Sequence, residues 1–175
     1  MLIDLHALLS TEGKVKQLET DLELQVFTTK KSSFSIIDRK PLKFVFTNLG
    51  GGKVQIDCNI DVTLLMTCDR CLEDVETQIN IQTSREVNLS ETDVEEKDFL
   101  DEADFIEGTE FDVEKFAYGE ILVNLPMKVL CSENCKGICN RCGTNLNHQS
   151  CGCDTTELDP RMAKALEVFN SFKEV

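Results

Sequence analysis

The chain has 175 residues, 41% of them hydrophobic, enough for one core with at most a small appended module. It carries 32 acidic residues against 18 basic ones, a net charge of −14 that excludes a polyanion-binding surface spread evenly over the molecule. No apolar run approaches the roughly 20 residues that cross a bilayer, and Asp4 and Glu12 interrupt the N-terminus before a secretory apolar stretch can develop. The expectation is a cytoplasmic protein with no membrane partner.

Residues 1–90 read as β-structure. Leu18, Leu22, Leu24 and Val26 fall at even positions, and Lys43-Phe44-Val45-Phe46-Thr47 is a β-rich run ended by a hairpin turn within residues 48–52. Val54, Ile56, Cys58, Ile60, Val62, Leu64 and Met66 then alternate with mostly polar residues, which predicts one long half-buried strand with Cys58 on its apolar side. A small buried core side chain is the expected role of Cys58. Past Cys71 the alternation resumes at Val75, Thr77, Ile79 and Ile81 and continues toward Val87 and Leu89. Two strands flanking Cys68-Asp69-Arg70-Cys71 imply a hairpin with a Cys-x2-Cys at its tip.

Residues 61–125 hold nineteen acidic and four basic residues, so the whole charge excess lies there. Its densest part, residues 91–111, reads as a solvated, mobile segment. A helix follows, capped by Asp112, with Val113, Phe116, Ala117, Ile121 and Leu125 on one side and Pro126 as its stop. Asp159-Pro160 opens a second helix, whose stripe of Met162, Leu166, Phe169 and Phe172 is expected to pack on the sheet. No internal repeat is evident.

Nine cysteines without an export signal point to a reducing compartment and to metal ligation rather than disulfides. Eight form four close pairs: Cys68 and Cys71, Cys131 and Cys135, Cys139 and Cys142, Cys151 and Cys153. Two tetrahedral sites need four ligands each, so the arithmetic closes with Cys58 left over. Gly143 after Cys142 permits the positive φ of a thiolate knuckle, and Cys151 lies close enough to close on it. Cys139, Cys142, Cys151 and Cys153 are therefore assigned to one local site, and Cys68, Cys71, Cys131 and Cys135 to a long-range one. A rival arrangement draws one site from the six C-terminal cysteines and leaves Cys68 and Cys71 as a free pair. Zinc, two per chain, fits four thiolates better than an iron–sulfur cluster, whose ligand spacings are not matched.

Redox catalysis by Cys68 and Cys71 is disfavoured, because strands rather than a helix N-terminus flank them and Asp69, Glu73 and Asp74 stand nearby. There is no Gly-rich phosphate loop and no Ser or Cys beside a credible base, so no catalytic residue is assigned and no small-molecule substrate is expected. Of the two histidines, His6 reads as a surface residue and His148 as a spare ligand that eight thiolates make unnecessary.

The sequence resembles the YceD family, the large ribosomal RNA subunit accumulation proteins of bacteria and plastids. The resemblance rests on Cys68-Asp69-Arg70-Cys71-Leu72-Glu73, on Ile121-Leu122-Val123-Asn124-Leu125-Pro126, on the run from Cys131 through Cys135-Lys136-Gly137-Ile138-Cys139 to Cys142-Gly143, and on Cys151-Gly152-Cys153 and Asp159-Pro160-Arg161. It implies a non-catalytic role in biogenesis or accumulation of large-subunit (23S) ribosomal RNA, with that RNA or a large-subunit assembly intermediate as partner. Some members of the family look as if they lack the module of residues 139–153, which implies two separable sites. Lys128, Lys136, Arg141, Asn145, Asn147, His148 and Arg161 are the expected RNA-contacting residues. Competing readings are a thiol–disulfide oxidoreductase using Cys68 and Cys71, and a protein-binding adaptor using the acidic segment.

The expected fold is α+β: an antiparallel β-sheet or partly closed barrel with two packed helices and a C-terminal cysteine-rich zinc module. Its parts are a sheet region over residues 1–90, the acidic segment over 91–111, and residues 112–175 carrying the helix, the knuckles and the C-terminal helix.

Overall fold

The computed structural model describes residues 1–89 and 105–153 and the single positions 162 and 164. The chain divides into two compact units: Met1–Thr67 with Asp74–Val129, and Cys68–Glu73 with Leu130–Val175.

The first unit is α+β, built on antiparallel sheets, and is not a closed barrel. Its elements are β1 (Leu2–Asp4), α1 (His6–Leu9), β2 (Val15–Thr20), β3 (Val26–Thr28), β4 (Ser33–Arg39), β5 (Leu42–Gly50), β6 (Lys53–Thr67), β7 (Asp74–Asn88), β8 (Ile106–Glu107), β9 (Glu110–Asp112) and α2 (Val113–Val123). A small sheet runs β1-β9-β8, and a larger one runs β2-β5-β6-β4-β3 with β7 also on β6. The long β6 organises the larger sheet: β7 pairs with it along its whole length, from Lys53 opposite Asn88 to Thr67 opposite Asp74. Its other edge is shared, β5 taking residues 53–59 and β4 residues 62–65.

The alternation in β6 is the clearest link from sequence to packing. Val54, Ile56, Cys58, Ile60, Val62, Leu64 and Met66 are all buried, each facing the same side of the pleat. On that side lie Phe44 and Phe46 of β5, which meet Phe111 of β9 edge-on at 5.4 and 5.2 Å, while Phe116 of α2 meets Phe44 at 5.7 Å. Edge-to-face contact suits the ring quadrupoles, and burying each of these side chains removes enough apolar surface to contribute roughly 1.5–3 kcal/mol. The N-cap of α2 is the one expected: Asp112 accepts from the N–H groups of Glu114 and Lys115. That helix buries Val113, Phe116, Ala117, Glu120 and Ile121.

Locally the structure departs from the sequence pattern or adds to it. Leu18 and Val26 do not belong to one strand, because residues 21–25 break the pairing and shift its phase. Leu22 is buried, but Val26 is exposed and Phe27 takes the core position. The strand β4 has no steady alternation, since a register shift between Ile36 and Asp38 leaves Ile37 exposed. The hairpin turn expected within residues 48–52 is present, on Gly51 and Gly52, both at positive φ as a two-residue loop requires; only its start differs, since Asn48 is inside β5 and buried. The four-residue α1 was not foreseen.

Most of the expected acidic segment lies outside the described residues. Its end, from Phe105 to Phe111, carries β8 and the start of β9. The C-terminal helix expected from Asp159 lies outside them too, apart from Met162 and Lys164, which are helical and exposed.

Candidate metal centre

In the second unit two short turns carry the same set of hydrogen bonds. Cys68 accepts at its carbonyl from the N–H of Leu72 at 3.0 Å, and Cys139 accepts from Gly143 at 2.9 Å. Leu72 and Gly143 both have positive φ, 63° and 73°. At the first cysteine of each turn the sulfur faces the N–H groups of the two residues before the bend, Arg70 and Cys71 in one case and Arg141 and Cys142 in the other. The two Cys-x-Arg-Cys segments are thus a local repeat that hydropathy does not reveal.

Each turn collects two further thiols. The sulfurs of Cys68, Cys71, Cys131 and Cys135 lie within 4.8 Å of one another, and so do those of Cys139, Cys142, Cys151 and Cys153. Loop lengths suggested the same division. In the first cluster Cys68 and Cys135 are 3.8 Å apart at sulfur and Cys71 and Cys131 are 3.4 Å apart. All nine cysteines are free thiols. A tetrahedron of sulfurs around an ion at ~2.3 Å has edges of about 3.8 Å, so this spacing suits a four-coordinate metal.

The electrostatics point the same way. Burial would raise the Cys68 thiol, but the N–H groups of Cys71, Arg70 and Cys131 together bring it down to about 6. Its neighbour Cys71 goes up: a Glu73 N–H favours its thiolate, yet burial and the sulfurs of Cys131, Cys68 and Cys135 prevail. In the second cluster the Thr144 hydroxyl and N–H bring Cys142 down to about 6, while Cys153 is pushed up to about 12, first by Cys142 and then by burial. Within each group some thiols ionise readily and hold back the others. Like charges so crowded are stabilised by a cation, which is the donor chemistry of a thiolate metal site.

The surroundings of the first cluster are well ordered by polar contacts. Arg70 donates from its guanidinium to the Cys135 carbonyl at 2.9 Å and accepts at its own carbonyl from the Ile138 N–H at 3.1 Å. The Cys131 N–H points at the Cys68 sulfur at 3.3 Å, and the Asn147 amide donates to the Cys135 sulfur at 3.3 Å. Gly137, φ 77°, is needed here because a β-carbon on it would meet the Arg70 carbonyl oxygen at 3.0 Å. None of Arg70, Gly137 and Asn147 was singled out as a contributor to the cluster. The only sequence signal was their place within or just beside the cysteine pairs.

The expected RNA-contacting residues are placed as follows. Lys128 is exposed on the first unit, and Lys136 and Arg141 are exposed on the second. Asn145, Asn147 and His148 have partners within the second unit: Asn145 accepts from the Asn147 N–H at 2.9 Å, Asn147 accepts from the Lys136 N–H at 2.7 Å, and His148 Nε2 lies 2.5 Å from Glu73. Arg161 lies outside the described residues. His6 is exposed, as expected, and Cys58 is 3% exposed in the core of the first unit.

The family model described as large ribosomal RNA subunit accumulation protein YceD matches residues 56–169, a span that contains all eight clustered cysteines. The chain belongs to the YceD family. Among curated proteins it is similar to the large ribosomal RNA subunit accumulation protein YCED homolog 1, chloroplastic, of Arabidopsis thaliana, at 26% identity over 61% of this chain and 41% of that relative. The chain therefore spans less than half the length of the curated relative it matches. No solved structure matches. Among the described residues no helix is long and apolar enough to cross a membrane.

Proposed function

We propose that this YceD-family chain is a non-catalytic, zinc-stabilised factor in the accumulation of large-subunit ribosomal RNA. It holds two zinc ions and acts in the cytoplasm by binding the RNA or a large-subunit assembly intermediate. The observation that carries the reading is the presence of two four-thiol clusters within the segment that the family model matches. Zinc on Cys68, Cys71, Cys131 and Cys135, and on Cys139, Cys142, Cys151 and Cys153, would supply a structural crosslink rather than a reactive centre, since four protein ligands leave no open position. A thiol–disulfide exchange role is opposed by the burial of Cys68 and Cys71 and by the strands on either side of them. The exposed cations Lys128, Lys136 and Arg141 offer phosphate contacts.

Elemental analysis of the purified chain tests the metal, with close to two zinc per chain expected; quantitative disulfides without metal would overturn it. Crosslinking in cells followed by sequencing of the bound RNA tests the function. Enrichment of large-subunit ribosomal RNA, weakened when Lys136 and Arg141 are replaced by alanine, is the expected result. Enrichment of no ribosomal RNA, together with no association with large-subunit precursors, would dispose of the reading.

A further inference from the structure

The two thiol clusters share a strip of chain. Only three residues separate Cys135 of the first from Cys139 of the second, and residues 136–139 are zipped against residues 144–147. Cys139 N–H donates to the Thr144 carbonyl at 2.8 Å, Leu146 N–H to the Gly137 carbonyl at 2.9 Å, and Ile138 bridges Asn145. The strip of residues 144–147 is itself anchored at both ends by ligands of the second cluster, Cys142 before it and Cys151 after it. Its position therefore depends on whether that cluster is closed.

What the strip presents is directed at the first cluster. Asn147 donates from Nδ2 to the Cys135 sulfur at 3.3 Å while its Oδ1 accepts from the Lys136 N–H at 2.7 Å. Just beyond it, His148 Nε2 holds one oxygen of Glu73, whose other oxygen lies 3.4 Å from the Cys71 sulfur. One thiol of the first cluster thus takes a direct N–H donor from a loop whose ends are ligands of the second, and the same loop holds, through His148, the carboxylate that stands beside a second thiol. A thiolate that accepts an N–H hydrogen bond has its charge partly spread and its direction fixed, and loss of such outer partners commonly lowers metal affinity about 10–100-fold.

We propose that the two clusters are one coupled zinc device, in which closure of the second cluster presents Asn147 as the positioning donor to Cys135 of the first. This rests on the zinc reading above. Because coupling between binding sites is reciprocal, each ion binds the more tightly for the presence of the other, by the same factor.

Titration of the full chain with Co(II), read by its absorption bands and followed by Zn(II) competition, measures this. The paired variant C142S/C151S isolates the first cluster and C68S/C71S isolates the second. The product of the two wild-type constants is expected to exceed the product of the two isolated constants by about 10–100-fold. Equality within about two-fold, a coupling of nearly zero on the linkage scale, would overturn the proposal.

Asn147→Asp, which keeps all eight thiols, decides the matter if a cysteine variant fails to fold. It preserves the acceptor for the Lys136 N–H but sets a carboxylate against the thiolate in place of the donor, so Asn147→Ala, which adds no charge, is measured beside it. A loss of about ten-fold or more in the first-cluster constant is expected for both variants, whereas a loss confined to Asn147→Asp would be charge repulsion alone and would sink the proposal. A wild-type chain that binds two metals independently refutes the coupling alone; one that binds no metal refutes the zinc reading and the coupling with it.

Discussion

Leu72 and Gly143 occupy equivalent places in the two cysteine turns, with φ of 63° and 73° and N–H groups bonded to the first cysteine's carbonyl at 3.0 and 2.9 Å. Only one of them is a residue suited to that conformation. A side chain in the left-handed region costs roughly 1–2 kcal/mol, and the Leu72 side chain is 62% exposed, so it recovers little by packing. Leu72→Gly is therefore expected to be neutral to stabilising, by up to about 1 kcal/mol once the extra freedom of the unfolded glycine is counted. Gly143→Ala should cost about 1–2 kcal/mol, because open space around its β-carbon leaves only the conformational penalty. Chemical denaturation of the metal-loaded protein checks both signs; a stability loss in Leu72→Gly would refute the equivalence.

Gly137→Ala should be worse than Gly143→Ala. The same conformational penalty applies at φ 77°, and the new methyl would stand 3.0 Å from the Arg70 carbonyl oxygen, which is fixed by the Ile138 N–H. Backbone cannot move aside as a flexible side chain can. A loss of about 2–3 kcal/mol is expected, seen as faster metal release to a chelator from the cluster of Cys68, Cys71, Cys131 and Cys135. Release rates equal to those of Gly143→Ala would show that the contact relaxes freely.

Burial decides where the sequence is legible. The strand β6 could be read because one of its faces is buried throughout, so burial and alternation coincide over fifteen residues. Where the chain turns or slips, as between Leu22 and Phe27 or at Ile37, a one-residue phase change moves the apolar positions to the other face and the pattern stops being informative. Polar side chains with internal duties were invisible for a different reason. Asn48 sits in the hairpin region with the composition of a surface turn, yet it is 3% exposed, donates to the Leu8 and Thr11 carbonyls and accepts from the Gly50 N–H. At the clusters the cysteine grouping followed from loop lengths, since chelating pairs must be close in the chain. Asn147 and Arg70 did not follow, because a donor aimed at sulfur has the same letter as one aimed at water.

Cys58 should be inert toward thiol reagents in the folded chain and should make stability fall in alkali. Burial, with the Glu120 carboxylate adding to it, pushes the thiol up from 9.0 to about 12. Between those values the unfolded chain has released the proton that the native state still holds, so unfolding is favoured by rising pH. The contribution is complete below pH 9 and is lost progressively toward pH 12, with a slope of at most about 1.4 kcal/mol per pH unit. Cys58→Ala should flatten that part of the stability curve, and iodoacetamide at neutral pH should leave Cys58 unlabelled in metal-free native protein. An unchanged alkaline slope in the variant would assign the effect to other groups.

Arg85 and Glu120 link β7 to α2 through an Nε to Oε1 contact of 3.0 Å, with the carboxylate side chain 8% exposed and the guanidinium 39% exposed. The two partners are therefore unequal. Arg85→Ala leaves a buried carboxylate without its cation, which should cost about 2–3 kcal/mol, near the low end for a broken buried pair because the arginine side is open to water. Glu120→Gln leaves only a half-exposed guanidinium that solvent can serve, and should cost less, about 1 kcal/mol. The double variant should then be closer to Glu120→Gln than to the sum of the two losses, giving a coupling of about 1 kcal/mol or more. Glu120→Gln has a second readout, since removing the charge near Cys58 should lower that thiol from about 12 while burial keeps it above 9.0. Thiol titration of the variant separates the two causes: no movement would mean that burial alone sets the Cys58 value, and the carboxylate acts only on Arg85.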